Sequence, residues 1–186
     1  MTKNFIQVLI VPGYTGSGPG HWQTLWEQKH PEYRRVVQRD WHHPDLEEWI
    51  TVLDAAIQGS SSPVVLVAHS LGCILIAHWQ LRHSGDVHGA LLVAPADAER
   101  DDAPAPVRSF SPIPLQPLPF PSLVVASSND PYVSLERAQY FAKNWGSRFI
   151  SMGACGHIDT TAGFGPWRRG EVLLGNLMRG GISKDE

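Results

Sequence analysis

The sequence has few of the features that mark secreted, membrane-spanning or nucleic-acid-binding proteins. Its 186 residues include only two cysteines, Cys73 and Cys155, too few for a disulfide framework and typical of a reducing cytoplasm. No apolar run approaches the roughly 20 residues that a membrane-spanning helix needs. Lysine and arginine (15) nearly balance aspartate and glutamate (18) without a basic stripe. We therefore expect neither nucleic acid nor a membrane as a partner.

The chain length and the N-terminal sequence indicate the number of domains and the cellular location to expect. At 186 residues, the chain is expected to form one domain, residues 1–186, with a substantial core. Met1 to Phe5 lead directly into a strand-like segment and lack the cleavage pattern of a secretory signal peptide. A cytoplasmic location is therefore expected. Nothing in the composition indicates the oligomeric state.

Six short, apolar and β-branched runs alternate with helical patterns along the chain. The predicted strands are Phe5–Val11, Val36–Arg39, Val64–Ala68, Ala90–Ala94, Leu123–Ser127 and Phe149–Met152. The predicted helices are Asp45–Gln58, Leu71–His83, Ser134–Trp145 and, approximately, Trp167–Arg179. This alternation favours a mostly parallel, doubly wound α/β sheet. Ala103–Pro121 carries seven prolines, which excludes a helix there and predicts an extended excursion along the rim of a site.

The pentapeptide AHSLG at residues 68–72, directly after a buried strand and before a helix, is the most informative motif. A strand that ends in small-x-Ser-x-Gly and continues as a helix is the sequence form of a nucleophile elbow. Ala68 and Gly72 are small enough for that sharp turn, although glycine is commoner at the first position. Ser70 is therefore the candidate nucleophile. Because such pentapeptides also occur by chance, the interpretation depends on partners further along the chain.

A serine nucleophile needs a base, and one of the nine histidines follows the end of a predicted strand. His157 ends the segment GACGH at 153–157, where glycines allow the backbone to approach another loop. His69 adjoins the serine and is expected to point away from it. His78 is expected at the surface or packed. Five other histidines lie in polar or helix-end contexts: His30, His42, His43, His83 and His88.

The acid that orients the base is expected between serine and histidine in the chain. Asp130 ends the fifth predicted strand, and Pro131 holds it in an extended conformation. Asp97, after the fourth strand, remains an alternative. Asp159 is too close in sequence to His157 to reach its ring easily.

An oxyanion hole needs two N–H donors, one from the residue after the nucleophile and one from a loop after an early strand. Leu71 is the first. Tyr14, in the glycine-rich loop VPGYTGSG at 11–18, is the candidate for the second. That loop has neither the lysine of a Walker motif nor the glycine spacing of a dinucleotide fingerprint.

Several of these segments together resemble the small α/β-hydrolase-fold serine hydrolases typified by retinoblastoma-binding protein 9. The resemblance covers nearly the whole chain and rests on the Pro-Gly loop with HW at 21–22 and Trp26 behind it, the elbow, NDPYV at 129–133, and GHI at 156–158 leading to AGFGPW at 162–167. It implies the strand order 2-1-3-4-5-6 and no cap domain. It also implies that Ser70, Asp130 and His157 are the nucleophile, the acid and the base.

The predicted function is hydrolysis of small carboxylic esters or related acyl substrates through a Ser-His-Asp triad and an acyl-enzyme, without a metal or a cofactor. A peptidase or thioesterase remains open because these reactions share the tetrahedral intermediate, and so does a partner-binding module with little turnover. The aromatic residues expected to contact the substrate are Trp22, Tyr132, Phe164 and Trp167. A redox role for Cys73 or Cys155 is also open, although small buried thiols are the preferred interpretation.

Overall fold

A computed structural model describes residues 5–180 of the chain. At its centre is one sheet, whose strands are β1 (Gln7–Val11), β2 (Arg34–Arg35), β3 (Val64–His69), β4 (Val87–Val93), β5 (Ser122–Ala126) and β6 (Arg148–Ser151). Neighbouring strands all pair in parallel, in the order β2-β1-β3-β4-β5-β6. The predicted fold class and strand order are confirmed. Residues 1–4 belong to the N-terminal segment that is predicted to lack a signal peptide, and they lie outside the described range.

Helices cover both faces of this sheet, as predicted. They are α1 (Trp22–Lys29), α2 (Leu46–Gln58), α3 (Leu71–Trp79), α4 (Ala105–Arg108), α5 (Leu135–Trp145) and α6 (Arg168–Met178). Successive strand side chains point to opposite faces, so each central strand supplies two core layers. One layer packs against α2, α3 and α5, and the other against α1 and α6. No helix within residues 5–180 is long and apolar enough to cross a membrane.

The two helices with clear sequence boundaries, α2 and α5, begin after a side-chain cap and end before a glycine. The Asp45 carboxylate accepts a hydrogen bond from the N–H of Glu48 at 2.9 Å at the start of α2. The Ser134 hydroxyl accepts one from the N–H of Arg137 at 3.1 Å at the start of α5. Helix α5 ends at Trp145, and its C-cap residue Gly146 has a φ of +65°, a left-handed conformation that favours glycine. These local signals explain why the predicted limits of both helices agree with the structure.

The structure corrects the predictions for the second strand and for the proline-rich segment. The second strand lies at Arg34–Arg35 rather than at Val36–Arg39, because only two residues pair with β1 before the edge strand leaves the sheet. The exclusion of a helix from Ala103–Pro121 is also wrong, since α4 forms there with Pro104 as its N-cap and Pro106 in its first turn. N–H groups in the first turn have no acceptor within the helix, so proline is tolerated there.

Helix α1 is not among the predicted helices, and α3 is shorter than expected. Helix α1 starts after His21, whose ring Nδ1 accepts a hydrogen bond from the N–H of Gln23 at 3.2 Å. Histidine is not a usual N-cap residue, so the sequence lacked a recognisable start signal. Helix α3 ends at Trp79 instead of His83, and turns follow it.

Candidate active site

Ser70 lies on a sharp turn between β3 and α3. Its φ of +55° and ψ of −122° are rarely adopted by an L-residue and indicate local strain. Its N–H donates to the carbonyl of Val93 at 2.9 Å, which ties the turn to β4. A Cβ atom at position 72 would lie only 2.3 Å from the carbonyl oxygen of Val11, so the close packing requires Gly72. The chain therefore makes the tight strand-to-helix turn that the pentapeptide predicts.

His157 follows β6 and contacts the carboxylate of Asp130, which follows β5. Its ring Nδ1 lies 2.8 and 3.0 Å from the two carboxylate oxygens. A carboxylate only accepts hydrogen bonds, so Nδ1 carries a hydrogen, and in the neutral ring Nε2 then has the lone pair. The side chains of His157 and Asp130 are 8% and 0% exposed, which shields this contact from water. The alternative acid, Asp97, instead pairs with Arg137 at 3.1 Å.

Ser70 and His157 line the same cavity, which has a volume of about 490 Å³ and lies at the carboxyl ends of the strands. Its walls come from the loop after β1, the turn at Ser70, and three segments further along the chain. These are residues 95–121 after β4, which we call the wall segment, residues 131–132 after β5, and residues 152–167 after β6, which we call the base loop. Among the described residues, no hydrogen bond joins the two side chains directly. In unliganded sites, this contact is often long.

The loop after β1 lies in direct contact with the turn at Ser70. A Cβ atom at position 13 would lie 2.8 Å from the backbone nitrogen of Leu71 and 2.9 Å from the Cβ of Ser70, so Gly13 is needed for this approach. Leu71 is the first residue of α3, where an N–H has no acceptor within the helix. Tyr14 follows Gly13 and lines the cavity. Both predicted oxyanion donors are thus near the serine.

Of the four aromatic residues predicted to contact substrate, only Tyr132 lines the cavity. Its ring is half exposed and meets the ring of His157 edge-on, with centroids 4.6 Å apart. The prediction of a substrate contact is wrong for three residues, which belong instead to the core layer against α1 and α6: Trp22, Phe164 and Trp167. Trp22 is fully buried and packs on Trp167 with ring centroids 5.0 Å apart. Large apolar rings near turns are equally suited to closing a core.

Two histidines that the sequence analysis left without a role also line the cavity, His21 and His69. The ring of His69 does not point away from the site: its centroid is 4.7 Å from that of His157 and 4.7 Å from that of His21. Its Nε2 lies 2.9 Å from the backbone oxygen of His157. The sequence signal for His21 was the HW pair at 21–22 behind the Pro-Gly loop, one of the segments on which the family resemblance rests.

Burial determines the ionisation of these two histidines and of the nearby thiol. It lowers the pKa of His21 to about 4 and holds the pKa of His69 well below its ordinary value, so both rings are neutral near pH 7. Burial also raises the pKa of the Cys73 thiol. A protonated, fully buried thiol is a poor nucleophile, which agrees with the interpretation of Cys73 as a small apolar core residue.

Comparison with known proteins assigns the family. The profile of the serine hydrolase family matches residues 8–176. The chain belongs to the serine hydrolase family. A solved protein from Pectobacterium atrosepticum, described as a YdeN-like hydrolase, is 34% identical over 96% of this chain and 93% of that one, with a TM-score of 0.85. The family resemblance inferred from the motifs is thereby confirmed.

Two further solved structures share the fold of this serine hydrolase at lower identity. The ydeN gene product from B. subtilis is 21% identical over 94% of this chain and all of that one, with a TM-score of 0.78. A thermophilic esterase from Thermogutta terrifontis is 16% identical over 97% and 92% of the two chains, with a TM-score of 0.68. At these identities, the likeness concerns the fold. No curated protein sequence matches the chain significantly.

In this serine hydrolase, the loops that carry Asp130 and His157 are joined by two side chains that the sequence analysis did not single out. The Asn129 amide oxygen accepts hydrogen bonds from the N–H of Gly156 at 2.7 Å and from the hydroxyl of Ser127 at 2.8 Å. The same hydroxyl oxygen accepts the N–H of Cys155 at 2.8 Å. Ser127 and Asn129 therefore fix the distance between the two loops. Within residues 5–180, no cluster of three metal-ligating side chains occurs.

Proposed function

We propose that this serine hydrolase cleaves small carboxylic esters or related acyl substrates, with Ser70 as nucleophile, His157 as general base and Asp130 as the acid that orients the base. The observation that best supports this proposal is the contact between His157 Nδ1 and the Asp130 carboxylate at 2.8 Å. It orients a histidine that lines the same cavity as Ser70. The contact puts the imidazole hydrogen on Nδ1. Nε2 can then take the proton of the Ser70 hydroxyl.

The reaction follows from these positions. Ser70 Oγ bonds to the substrate carbonyl carbon while His157 Nε2 takes the hydroxyl proton, and the carbonyl oxygen becomes an oxyanion. The N–H groups of Leu71 and Tyr14 stabilise that charge. Collapse of the intermediate breaks the bond to the alcohol, which leaves with the proton from Nε2. Asp130 accepts the hydrogen bond from Nδ1 and stabilises the imidazolium.

Water completes the cycle. It attacks the acyl-enzyme and gives a proton to His157 Nε2, and Ser70 regains a proton as the carboxylic acid departs. The cavity of about 490 Å³ lies in the lower part of the range of roughly 300–1,000 Å³ for small-molecule sites. This size supports a small acyl group.

Substitution of the nucleophile tests the proposal. Ser70→Ala should lower turnover of a short-chain aryl ester by about 10⁴-fold or more, since loss of the nucleophile removes most of the rate enhancement in enzymes of this type. A fluorophosphonate probe should label the wild type and not the variant. Ser128→Ala is the matched control, because Ser128 follows β5 and is exposed, and its rate should remain at the wild-type level.

The same assay separates the alternatives. Ester, thioester and amide substrates that carry the same acyl group are compared, and their relative kcat/KM values show which leaving group the enzyme prefers. A wild-type protein that neither turns over any of them nor takes up the probe would contradict the proposal and favour a partner-binding module.

We also propose a cytoplasmic location. Cys73 and Cys155 are both free cysteines in the structure, as is usual in a reducing compartment.

A further inference from the structure

Two consecutive carbonyl groups of the base loop each accept a hydrogen bond from a buried ring N–H. The oxygen of His157 lies 2.9 Å from Nε2 of His69, and the oxygen of Ile158 lies 2.9 Å from Nε1 of Trp22. His69 ends β3, and Trp22 begins α1. The backbone at the candidate base is therefore attached to the central sheet and to a helix.

The chemistry of these contacts fixes which atoms carry hydrogen. A backbone carbonyl only accepts, so Nε2 of His69 must be the donor and the neutral ring must be the Nε2–H tautomer. Burial keeps the ring neutral near pH 7. The donor is therefore present at that pH without a positive charge next to the imidazolium that forms on His157 during the reaction.

The backbone conformation at Ile158 shows why the loop needs such contacts. Its φ is +50°, in the left-handed region that a β-branched residue rarely adopts. Such a conformation persists only where its surroundings enforce it. The Ile158 side chain is fully buried, and its carbonyl is held by Trp22, so packing and hydrogen bonding together hold the strained residue next to His157.

The bond to Asp130 alone does not locate the base. It orients the His157 ring about its side-chain torsions, whereas the position of the ring relative to Ser70 depends on the backbone from which the side chain projects. That backbone is held by the donors on His69 and Trp22.

We propose that His69 and Trp22 are positioning residues whose ring N–H groups hold the base loop so that His157 Nε2 faces Ser70. The inference rests on the proposed function, because it assigns His157 as the base. His69 acts through the backbone of His157 rather than on the substrate, and Trp22 acts one residue further along.

Paired substitutions at position 69 test the donor itself. His69→Leu removes the N–H while filling similar space, and kcat should fall about 10- to 100-fold with KM within about threefold, as expected for a displaced base. His69→Gln places an amide N–H near the same carbonyl, and we expect it to recover kcat to within about fivefold of wild type. Equal losses in both variants, or wild-type kcat in His69→Leu, would overturn the proposal.

A second buried histidine provides the control. His78 on α3 makes the same kind of contact, with Nε2 2.8 Å from the carbonyl oxygen of Phe110, but in the wall segment rather than in the base loop. His78→Leu should reduce stability and leave kcat within about twofold of wild type, because removing a buried hydrogen bond costs stability wherever it lies. A loss of kcat equal to that of His69→Leu would mean that destabilisation alone explains the effect.

Two measurements do not depend on turnover. Ring-nitrogen NMR shifts should show His69 as the neutral Nε2–H tautomer, and hydrogen exchange of the amides at 155–160 should be faster in His69→Leu and in Trp22→Phe than in wild type. A proton on Nδ1 of His69, or unchanged exchange, would refute the positioning role even in an active enzyme. Conversely, an inactive, unlabelled wild type with the expected tautomer and exchange would refute the proposed function and leave the loop attachment intact.

Discussion

The base loop and the wall segment meet at the same edge of the sheet, but they are held at different places. The base loop is fixed at the candidate base and its neighbour, where the carbonyls of His157 and Ile158 accept buried N–H groups. The wall segment is held by a buried hydrogen bond beyond its cavity-lining part, where the Pro114 carbonyl accepts the ring N–H of Trp145 at 2.7 Å. Along its cavity-lining part it is held by ion pairs, one of them between Asp97 and Arg137 at 3.1 Å. Over the cavity it carries the exposed ion pair of Arg100 and Asp102.

Exposed ion pairs contribute little to stability, typically about 0–1 kcal/mol, whereas buried hydrogen bonds are costly to leave unmade. The difference therefore places the most constrained contacts where the proposed mechanism transfers a proton. The less constrained contacts lie on the wall segment, which lines the cavity away from the candidate base. Substitutions on the two sides should then have separable effects: those in the base loop should change the rate, and those in the wall segment should change substrate preference.

The largest expected effect comes from Asp130→Asn. The asparagine amide would donate to His157 Nδ1 and shift the imidazole hydrogen to Nε2, so the ring could no longer accept the Ser70 proton. We expect kcat for a short-chain ester to fall by about 10⁴-fold, measured in steady state. Asp97→Asn is the control, because Asp97 pairs with Arg137, and its kcat should change by less than about threefold. Equal losses would leave the assignment of the acid unsupported.

The next effect concerns stability in acid. Because the pKa of His21 is lowered from 6.5 to about 4, the unfolded chain binds a proton between these values that the folded chain does not. The free energy of unfolding should therefore decrease as the pH falls through this window, by about 3 kcal/mol at its lower end. His21→Asn keeps an N-cap acceptor for Gln23 and removes the titration.

Urea unfolding at pH 7 and pH 4.5 measures this contribution. The wild type should lose more stability between the two values than His21→Asn. His78, whose pKa is also lowered by burial, contributes equally in both proteins and cancels in the comparison. His69 contributes with the same sign but somewhat less in His21→Asn, because His21 itself helps to lower the pKa of His69. An identical pH dependence in the two proteins would show that His21 is not the titrating group.

The smallest expected effect lies in the wall segment. Val107, on α4, is 7% exposed and lines the cavity, so Val107→Ala should enlarge the acyl site. We expect the ratio of kcat/KM for a butyryl over an acetyl ester to rise about 3- to 10-fold, as for other small changes in an apolar pocket. Val172→Ala, at an exposed position of α6, should leave the ratio unchanged. A fall in kcat comparable to that of His69→Leu would remove the distinction between the two segments.

Features that depend on neighbouring residues in the chain could be predicted from the sequence. Asp45 and Ser134 mark helix starts through contacts three residues away, and the turn at Ser70 follows from small residues on either side. The strand order came from the family resemblance and agrees with the structure. The edge strand β2 was misplaced because two residues are too few to produce an alternating pattern.

Contacts between distant parts of the chain could not be predicted. His69 and the carbonyl that it binds are 88 positions apart, and no local pattern indicates that a residue next to the nucleophile also supports the base loop. Trp22 and Trp167 were expected in the pocket because aromatic side chains suit both a ligand site and a core. Only the packing of the layer against α1 and α6 distinguishes the two environments.

The adjacency of His69 and Ser70 has a mechanical consequence. His69 binds the backbone of the proposed proton acceptor, and Ser70, the next residue, carries the proposed attacking oxygen, so both ends of the proposed proton-transfer path depend on neighbouring residues at the tip of β3. When thermal motion displaces that tip, the two ends shift together. Their separation should vary less than it would if each were mounted on an independent loop.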